Sequence, residues 1–295
     1  MKTKTGSKTA PRTGRGDRSP LFNQSVEKAF TILHAFHPGR TAMNLSEIVA
    51  AARITKSAAQ RFTHTLETLG YLRKDAHTRR WVLTPKMLDL GYAYLAADPL
   101  IEQASPHLLD LNQACGESVN LSEPDGTDMV FVARFPSHKR FFVHISVGRR
   151  LPMFCTAAGR AYLSALPDSR AEAIIAQSPI HRFTPLTETD RARIADLVRQ
   201  ARDDGYAWAN EEYFRGDLNI AVPLLGVDGD PVGAINISGP TSRWTLDRLR
   251  QELVPLLIET ARAVSARNRT ELRAIPPDRG VAPSHITNPH GGNEQ

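Results

Sequence analysis

Apolar residues first recur at helical spacing at Val26, Ala29, Phe30 and Leu33, with Ser25 as the expected N-cap and Pro38-Gly39 as the stop. A short second helix is predicted over 45–52. Asn44 can accept from an amide of its first turn and Glu47 can reach back to the cap, a variant of the capping box. A tight turn at Arg53-Ile54 leads to a third helix, 55–69, ended by Gly70, which tolerates the left-handed conformation of a helix terminator. After Gly70 the helical period gives way to β-rich runs: 71–73 and 81–83 read as short strands around the polar loop 74–80. Three helices followed by a hairpin is the order of a winged helix-turn-helix. Thr84-Pro85 then opens a linker helix, with Met87, Leu88, Leu90 and Leu95 as its apolar positions.

Asp98-Pro99, a cap followed by Pro at the first helical position, starts a second body with a helix to about Cys115. Strands are expected at 117–120, 129–134 and 140–147, the first two joined at Asp125-Gly126. Helices are expected at 157–165 and 169–177. A third, capped by a box at Thr187–Asp190, carries the stripe Ile194, Leu197, Val198 and Ala201 and ends at Gly205. Strands at 219–225 and 231–238 flank the turn at 228–230, and one long helix, 245–267, closes the body. Strands interspersed with helices predict an α+β body with an antiparallel sheet flanked by helices. The expected segments are a disordered basic arm (1–21), the winged helix-turn-helix (22–84), the linker (85–97), the body (98–268) and a disordered tail (269–295).

Charge sharpens this division. Residues 1–86 hold 16 Lys and Arg against 5 Asp and Glu, a net of +11; the remaining residues hold 21 against 26, a net of −5. A basic head on an acidic body points to a polyanion partner for the head alone. No run of 18 apolar residues exists, the basic N-terminus lacks the apolar stretch of a secretory signal, and Cys115 and Cys155 have no ligand or disulfide spacing. A reducing cytoplasmic protein without a membrane span, cofactor or metal is expected. His138, His144 and His181 are likewise scattered without ligand spacing.

Winding the third helix at about 100° per residue places Lys56, Ser57, Gln60, Arg61 and His64 on one side, and Ala58, Phe62, Thr65, Leu66 and Leu69 on the other. The first side carries long hydrogen-bonding groups and cations without a carboxylate, which suits a helix lying in a major groove. Lys56, Ser57, Gln60 and Arg61 are expected at base edges, with His64 nearer the phosphates. Arg73, Lys74, Arg79 and Arg80 of the wing are expected to position the protein on phosphate; His77 lies in the same basic hairpin.

Several segments, taken in order, resemble the IclR-type transcriptional regulators: SVEKAFTILHAF, NLSEIVAAARITKSAAQRFTHTLETLGYL and RRWVLTPKMLDLG in the head, then GRRLPMFCTAAGRAYLSALP, GYAWANEEYFRGDLNIAVPL and GAINISGPTSRWT in the body. The resemblance spans about residues 25–268. It implies a GAF-like effector-binding body, a homodimer through head and linker or a dimer of dimers, a double-stranded operator, and a catabolic role tuned by a small organic acid. It also implies an effector site at Phe154, Cys155, Thr156, Ala157, Ala158, Asp217, Asn219, Asn236 and Ser238. Many members carry Cys where this chain has Asn219 and Ser where it has Asn236.

The residues add a hint of their own. Asn236 and Ser238 share one face of a strand whose other face carries Ile235 and Ile237, so both need partners if buried. A ligand carboxylate or hydroxyl would serve, as would water or a neighbouring backbone. Phe154 suits an aromatic acid, and the amides of Ala157, Ala158 and Gly159 at a helix start suit an anion. No nucleophile elbow occurs at 156–159, and no His or Lys adjoins Cys155 in sequence, so no catalytic residue is expected. The competing function is a constitutive DNA binder whose body only oligomerises.

Overall fold

The computed structural model describes residues 19–139 and 145–271, with side chains to residue 265. Most of the predicted arm and tail, the first five residues of the predicted 140–147 strand, and His144 lie outside the described residues. The chain divides into two compact units, the first ending at Ala93 and the second beginning at Tyr94, a cut that falls inside the predicted linker helix.

The first unit holds α1 (Gln24–His34), β1 (Ala42–Met43), α2 (Leu45–Ala52), α3 (Lys56–Thr68), β2 (Leu72–Lys74) and β3 (Trp81–Leu83). The cap of α1 is Asn23, whose side chain accepts from the amides of Ser25 and Val26, and not Ser25 as the sequence suggested. Asx side chains serve this role as well as Ser does, and the helical period cannot distinguish neighbouring caps. At α2 the capping box is complete: the Glu47 amide donates to Asn44 Oδ1 at 3.0 Å, and the Asn44 amide to Glu47 Oε2 at 2.7 Å. Arg53 takes the left-handed conformation, φ 51°, that turns the chain into α3. The hairpin strands join β1 in the order β1-β3-β2; a two-residue strand is too short for any period to announce.

Ile32, Leu33, Met43, Ile48, Ala59, Leu66, Leu72 and Trp81 form the core of this unit. Fully burying one large apolar side chain contributes about 1.5–3 kcal/mol, so this cluster outweighs the helix propensities. The core departs from the expected faces in two helices. In α1, Val26 and Phe30 point outward while Ile32 and Leu33 are buried. In α3 the buried stripe is Ala59, Thr63 and Leu66, whereas Leu69 is exposed. Thr63 can be buried because its hydroxyl donates to the Ala59 carbonyl at 2.8 Å.

A short turn at Pro85–Met87 leads into α4 (Leu88–Ala97), the predicted linker helix. The second unit follows with α5 (Pro99–Cys115), β4 (Ser118–Asp125), β5 (Asp128–Phe135), β6 (Arg150–Pro152), α6 (Ala157–Ser164) and α7 (Asp168–Gln177). It continues with α8 (Arg191–Asp204), β7 (Ala207–Asn210), β8 (Asp217–Leu225), β9 (Pro231–Pro240), α9 (Leu246–Glu252) and α10 (Val254–Glu271). The six strands form one antiparallel sheet in the order β6-β5-β4-β9-β8-β7. Side-chain alternation splits its faces. Val119, Leu121, Ile220, Val222, Ile235 and Ile237 pack with α5, α9 and α10. The opposite face carries Ala221 and Ala234, small enough for α6 to lie close above them. Gly159 allows α6 to meet the turn before it, since a Cβ there would fall 2.2 Å from the Met153 Cα.

Three expectations for the body need correction, and one strand was not foreseen. Residues 145–147 are loop and turn, not strand. Helix α8 is capped by Asp190, whose side chain accepts from Ala192 and Arg193; the Thr187 hydroxyl instead donates to the Glu212 carbonyl at 2.6 Å. The closing helix is two, α9 and α10, broken at Leu253 because Pro255 supplies no amide for the turn before it. Edge strand β7, unannounced in the sequence, pairs with β8.

Candidate functional site

In the head, α3 presents Lys56, Ser57, Gln60, Arg61 and His64 to solvent, starting from its Thr55 cap. Glu67, the acid at its far end, accepts the Lys74 amide at 3.3 Å and so ties the wing to the helix. Arg73 and Arg79 are exposed on the wing, and Lys74 lies over the Trp81 ring, 4.3 Å from its centroid. A groove between helix and wing is lined by Gln60, His64, Lys74, Arg79 and Trp81 among others. Arg80 does not belong with these free cations. Its guanidinium donates to both Glu47 oxygens, at 2.8 and 2.6 Å, and to the Ala42 carbonyl at 3.0 Å. The wing arginine expected on phosphate therefore locks the hairpin to α2, because the capping carboxylate lies beside it.

In the second unit a cleft opens between the sheet and the start of α6 and contains about 520 Å³ of space unfilled by atoms, open mouth included. Cys155, Thr156, Ala157, Ala158, Asp217, Asn219, Asn236 and Ser238 all line it, as the resemblance implied. Phe154 does not: it is fully buried and stacks with Phe183, centroids 6.3 Å apart. Aromatic surface comes instead from Phe131, Tyr213 and Phe214.

Register explains the polar floor. Asn120 faces Asn236 across β4 and β9, and Ser238 faces Asn219 across β9 and β8. Asp217 is buried with them and accepts from Ser238 Oγ and Asn219 Nδ2, each at 2.6 Å. Burial pushes its carboxyl above the usual carboxylate range, while the hydrogen bonds from Ser238 and Asn219 and the charge of Arg134 oppose that rise. Asn236 Nδ2 donates to Asn219 Oδ1 at 3.2 Å. The Oδ1 atoms of Asn120 and Asn236 are buried without a partner. At the opposite wall the Thr156 side chain caps α6 by accepting from Gly159. The Gly159 amide, expected to face an anion, is thus occupied, and the amides of Ala157 and Ala158 are the ones left without a helical acceptor. Burial pushes the Cys155 thiol up to about 12, so it stays protonated.

The rim is the segment after β7. Glu211 sits at φ 53°, a costly conformation for a residue with a side chain. Several bonds hold it there: Thr184 Oγ1 donates to the Glu211 carbonyl at 2.7 Å, and Gly216 N to Glu211 Oε2 at 2.7 Å. Arg160 of α6, 1% exposed, grips Glu212 with two bonds of 2.5 and 2.6 Å and reaches the Phe154 and Trp208 carbonyls. Phe183, Tyr213 and Phe214 then form a ladder of rings at 4.5 and 4.6 Å. Sequence reasoning did not single out Asn120, Glu211, Glu212, Tyr213 or Phe214. For Asn120 a signal existed: Ser118, Asn120 and Ser122 alternate with Val119 and Leu121, as Asn236 and Ser238 do with their isoleucines. Among the described residues no cluster of His, Cys, Asp and Glu assembles that could hold a metal, and no helix is long and apolar enough to cross a membrane.

Comparison with known proteins bears on both units. Residues 25–76 match the family described as "IclR helix-turn-helix domain", and residues 92–266 the family described as "Bacterial transcriptional regulator IclR C-terminal". The Pca regulon regulatory protein of Pseudomonas putida is 31% identical over 244 residues, which cover 82% of this chain and 83% of that protein. The HTH-type transcriptional regulator KdgR of Escherichia coli is 30% identical over 250 residues, covering 85% and 94%. A solved structure from Rhodococcus sp. RHA1 superposes with a TM-score of 0.73 at 34% identity, covering 85% of this chain and all of that one. A winged helix-turn-helix with an exposed, acid-free recognition face, followed by the family's own sheet-and-helix domain, leaves one conclusion: the chain belongs to the IclR family of bacterial transcriptional regulators, which act by binding DNA.

Proposed function

We propose that this regulator controls a catabolic operon and senses a small organic acid, aromatic acids included, in the cleft beneath α6. The observation that carries the reading is the cleft itself. It joins free helix-start amides, suited to a carboxylate, to a buried polar floor with unpaired oxygens, and aromatic rings line its mouth. The names of relatives agree with operon control: one is the Pca regulon regulatory protein, another the Pca operon regulatory protein of Acinetobacter baylyi, 32% identical over 247 residues. In the head, Lys56, Ser57, Gln60 and Arg61 read base edges, while His64, Arg73, Lys74 and Arg79 bind phosphate. A thermal melt with a panel of small aromatic and aliphatic acids tests the reading. A ligand that binds only the native state raises the melting temperature, by the equivalent of about 2.7 kcal/mol at a hundred times its dissociation constant. The same acid should shift operator affinity in a footprint. If acids neither raise the melting temperature nor alter the footprint, the body only oligomerises and the regulator is constitutive.

The working unit is a homodimer, or a dimer of dimers, joined through head and linker. Val26 and Phe30 on α1 are 52% and 48% exposed, and Leu88, Leu90 and Tyr92 on α4 are 72%, 54% and 74% exposed. Val26 with Phe30, and Leu88 with Tyr92, lie four residues apart on one face of their helices, the arrangement of an interaction surface. Pairing would set two recognition helices at the spacing of two half-sites, and effector occupancy would change that arrangement. Phe30→Glu combined with Tyr92→Glu should convert the protein to a monomer in light scattering and weaken operator binding. An unchanged mass would remove these faces from the interface.

A further inference from the structure

Resting on the reading of the cleft as the effector site, we infer that the ligand end facing the sheet is a hydrogen-bond donor, so that the effector is a hydroxy acid and not a plain carboxylic acid.

Both oxygens of Asp217 accept hydrogen bonds, one from Ser238 and one from Asn219. The two bonds, from Ser238 Oγ and Asn219 Nδ2, are each 2.6 Å long. Ser238 has one hydrogen and spends it there, so towards the cleft its oxygen can only accept. Asn219 must turn its amide nitrogen to Asp217, which aims its carbonyl at the next strand. Asn236 meets that carbonyl with its own nitrogen, at 3.2 Å. The Asn236 carbonyl is thereby turned away from Asn219, and its oxygen is buried with no partner. One strand further, Asn120 lies in register beside Asn236 and leaves a second buried, unpaired oxygen. Asn120 and Asn236 are 1% and 3% exposed, and both line the cleft.

A single carboxylate thus orients the relay through β8 and β9, and Asn120 adds another acceptor at its end. A plain acid pressed against this floor would set its lone pairs against theirs. A hydroxyl would give an unpaired oxygen the hydrogen it lacks. An ammonium is less suited, because both Asp217 oxygens are already engaged by Ser238 and Asn219. The acid end of the ligand then turns to the Ala157 and Ala158 amides on the opposite wall. The relay depends on the amides of Asn219 and Asn236.

Two matched series test this by calorimetry on the full chain: 4-hydroxybenzoate, 4-methoxybenzoate and benzoate; glycolate, methoxyacetate and acetate. In a series that binds, the hydroxy acid should bind at least about tenfold more tightly than its ether and its deoxy counterpart, since sites built around a hydroxyl reject analogues that lack it. Asp217→Asn removes the accept-only root, and Asn236→Ser introduces a hydroxyl that can donate. Each should narrow the preference for the hydroxy acid while the melting curve reports an intact fold; either variant alone suffices if the other does not fold. Equal binding of hydroxy acid and ether in wild type would overturn the donor rule yet leave the cleft an acid site. Failure of every compound in both series to bind would overturn the effector reading and this inference with it.

Discussion

Replacing Arg160 by alanine should destabilise the second unit by about 3–5 kcal/mol, the scale for breaking a buried ion pair. The guanidinium is 1% exposed and Glu212 is 7% exposed, so removing the cation leaves a carboxylate in a site built for a pair. The carbonyls of Phe154 and Trp208 lose their donors at the same time. Because Glu212 belongs to the rim that carries Tyr213 and Phe214, binding of the proposed effector should fall together with stability. The loss follows from the unpaired charge and not from the pair itself, since a buried pair replaced by apolar groups of similar volume is often neutral. Arg160→Met with Glu212→Leu should therefore recover much of what Arg160→Ala loses. Urea denaturation of the three variants checks this; a loss under about 1 kcal/mol for Arg160→Ala would mean that solvent reaches the site.

On operator DNA, Arg61→Ala should lower specific affinity by about 1–3 kcal/mol, as expected for a side chain that reads a base. Arg61 is exposed on the outward face of α3, close to the cap where a recognition helix lies deepest. A base reader and a phosphate contact can be told apart. Loss of Arg61 should weaken the operator far more than a random duplex, whereas Arg79→Ala should weaken both and reduce the salt slope by about one. Anisotropy titrations at several salt concentrations measure both quantities. Equal operator affinity for Arg61→Ala and wild type would take Arg61 out of the interface.

Much of this was legible in the residues themselves. The Asn44–Glu47 box, the Gly70 and Gly205 terminators and the Asp98-Pro99 start are local devices whose partners lie within four residues, and the structure contains each of them. Where local logic allowed two answers it erred: Asn23 and Ser25 can both cap a helix, and a capping box at 187–190 satisfies the same pattern as a Thr187 bonded to a distant loop. Arg80 looked like any other wing cation until the fold brought Glu47 beside it, 33 positions away in sequence.

By itself the sequence determined the two kinds of unit, the basic recognition face and the polar face of β9, because period, caps and charge are properties of neighbours along one element. Tertiary structure alone decided which polar groups meet. Asn120 reaches Asn236, and Arg160 reaches Glu212, only through the strand order β6-β5-β4-β9-β8-β7 and the docking of α6 on that sheet. Phe154 left the cleft and Phe214 entered it for the same reason. Alternation tells which face a side chain takes, but the pairing of strands about a hundred residues apart decides what stands beside it, and hydrogen-bond direction in a buried relay depends on those neighbours.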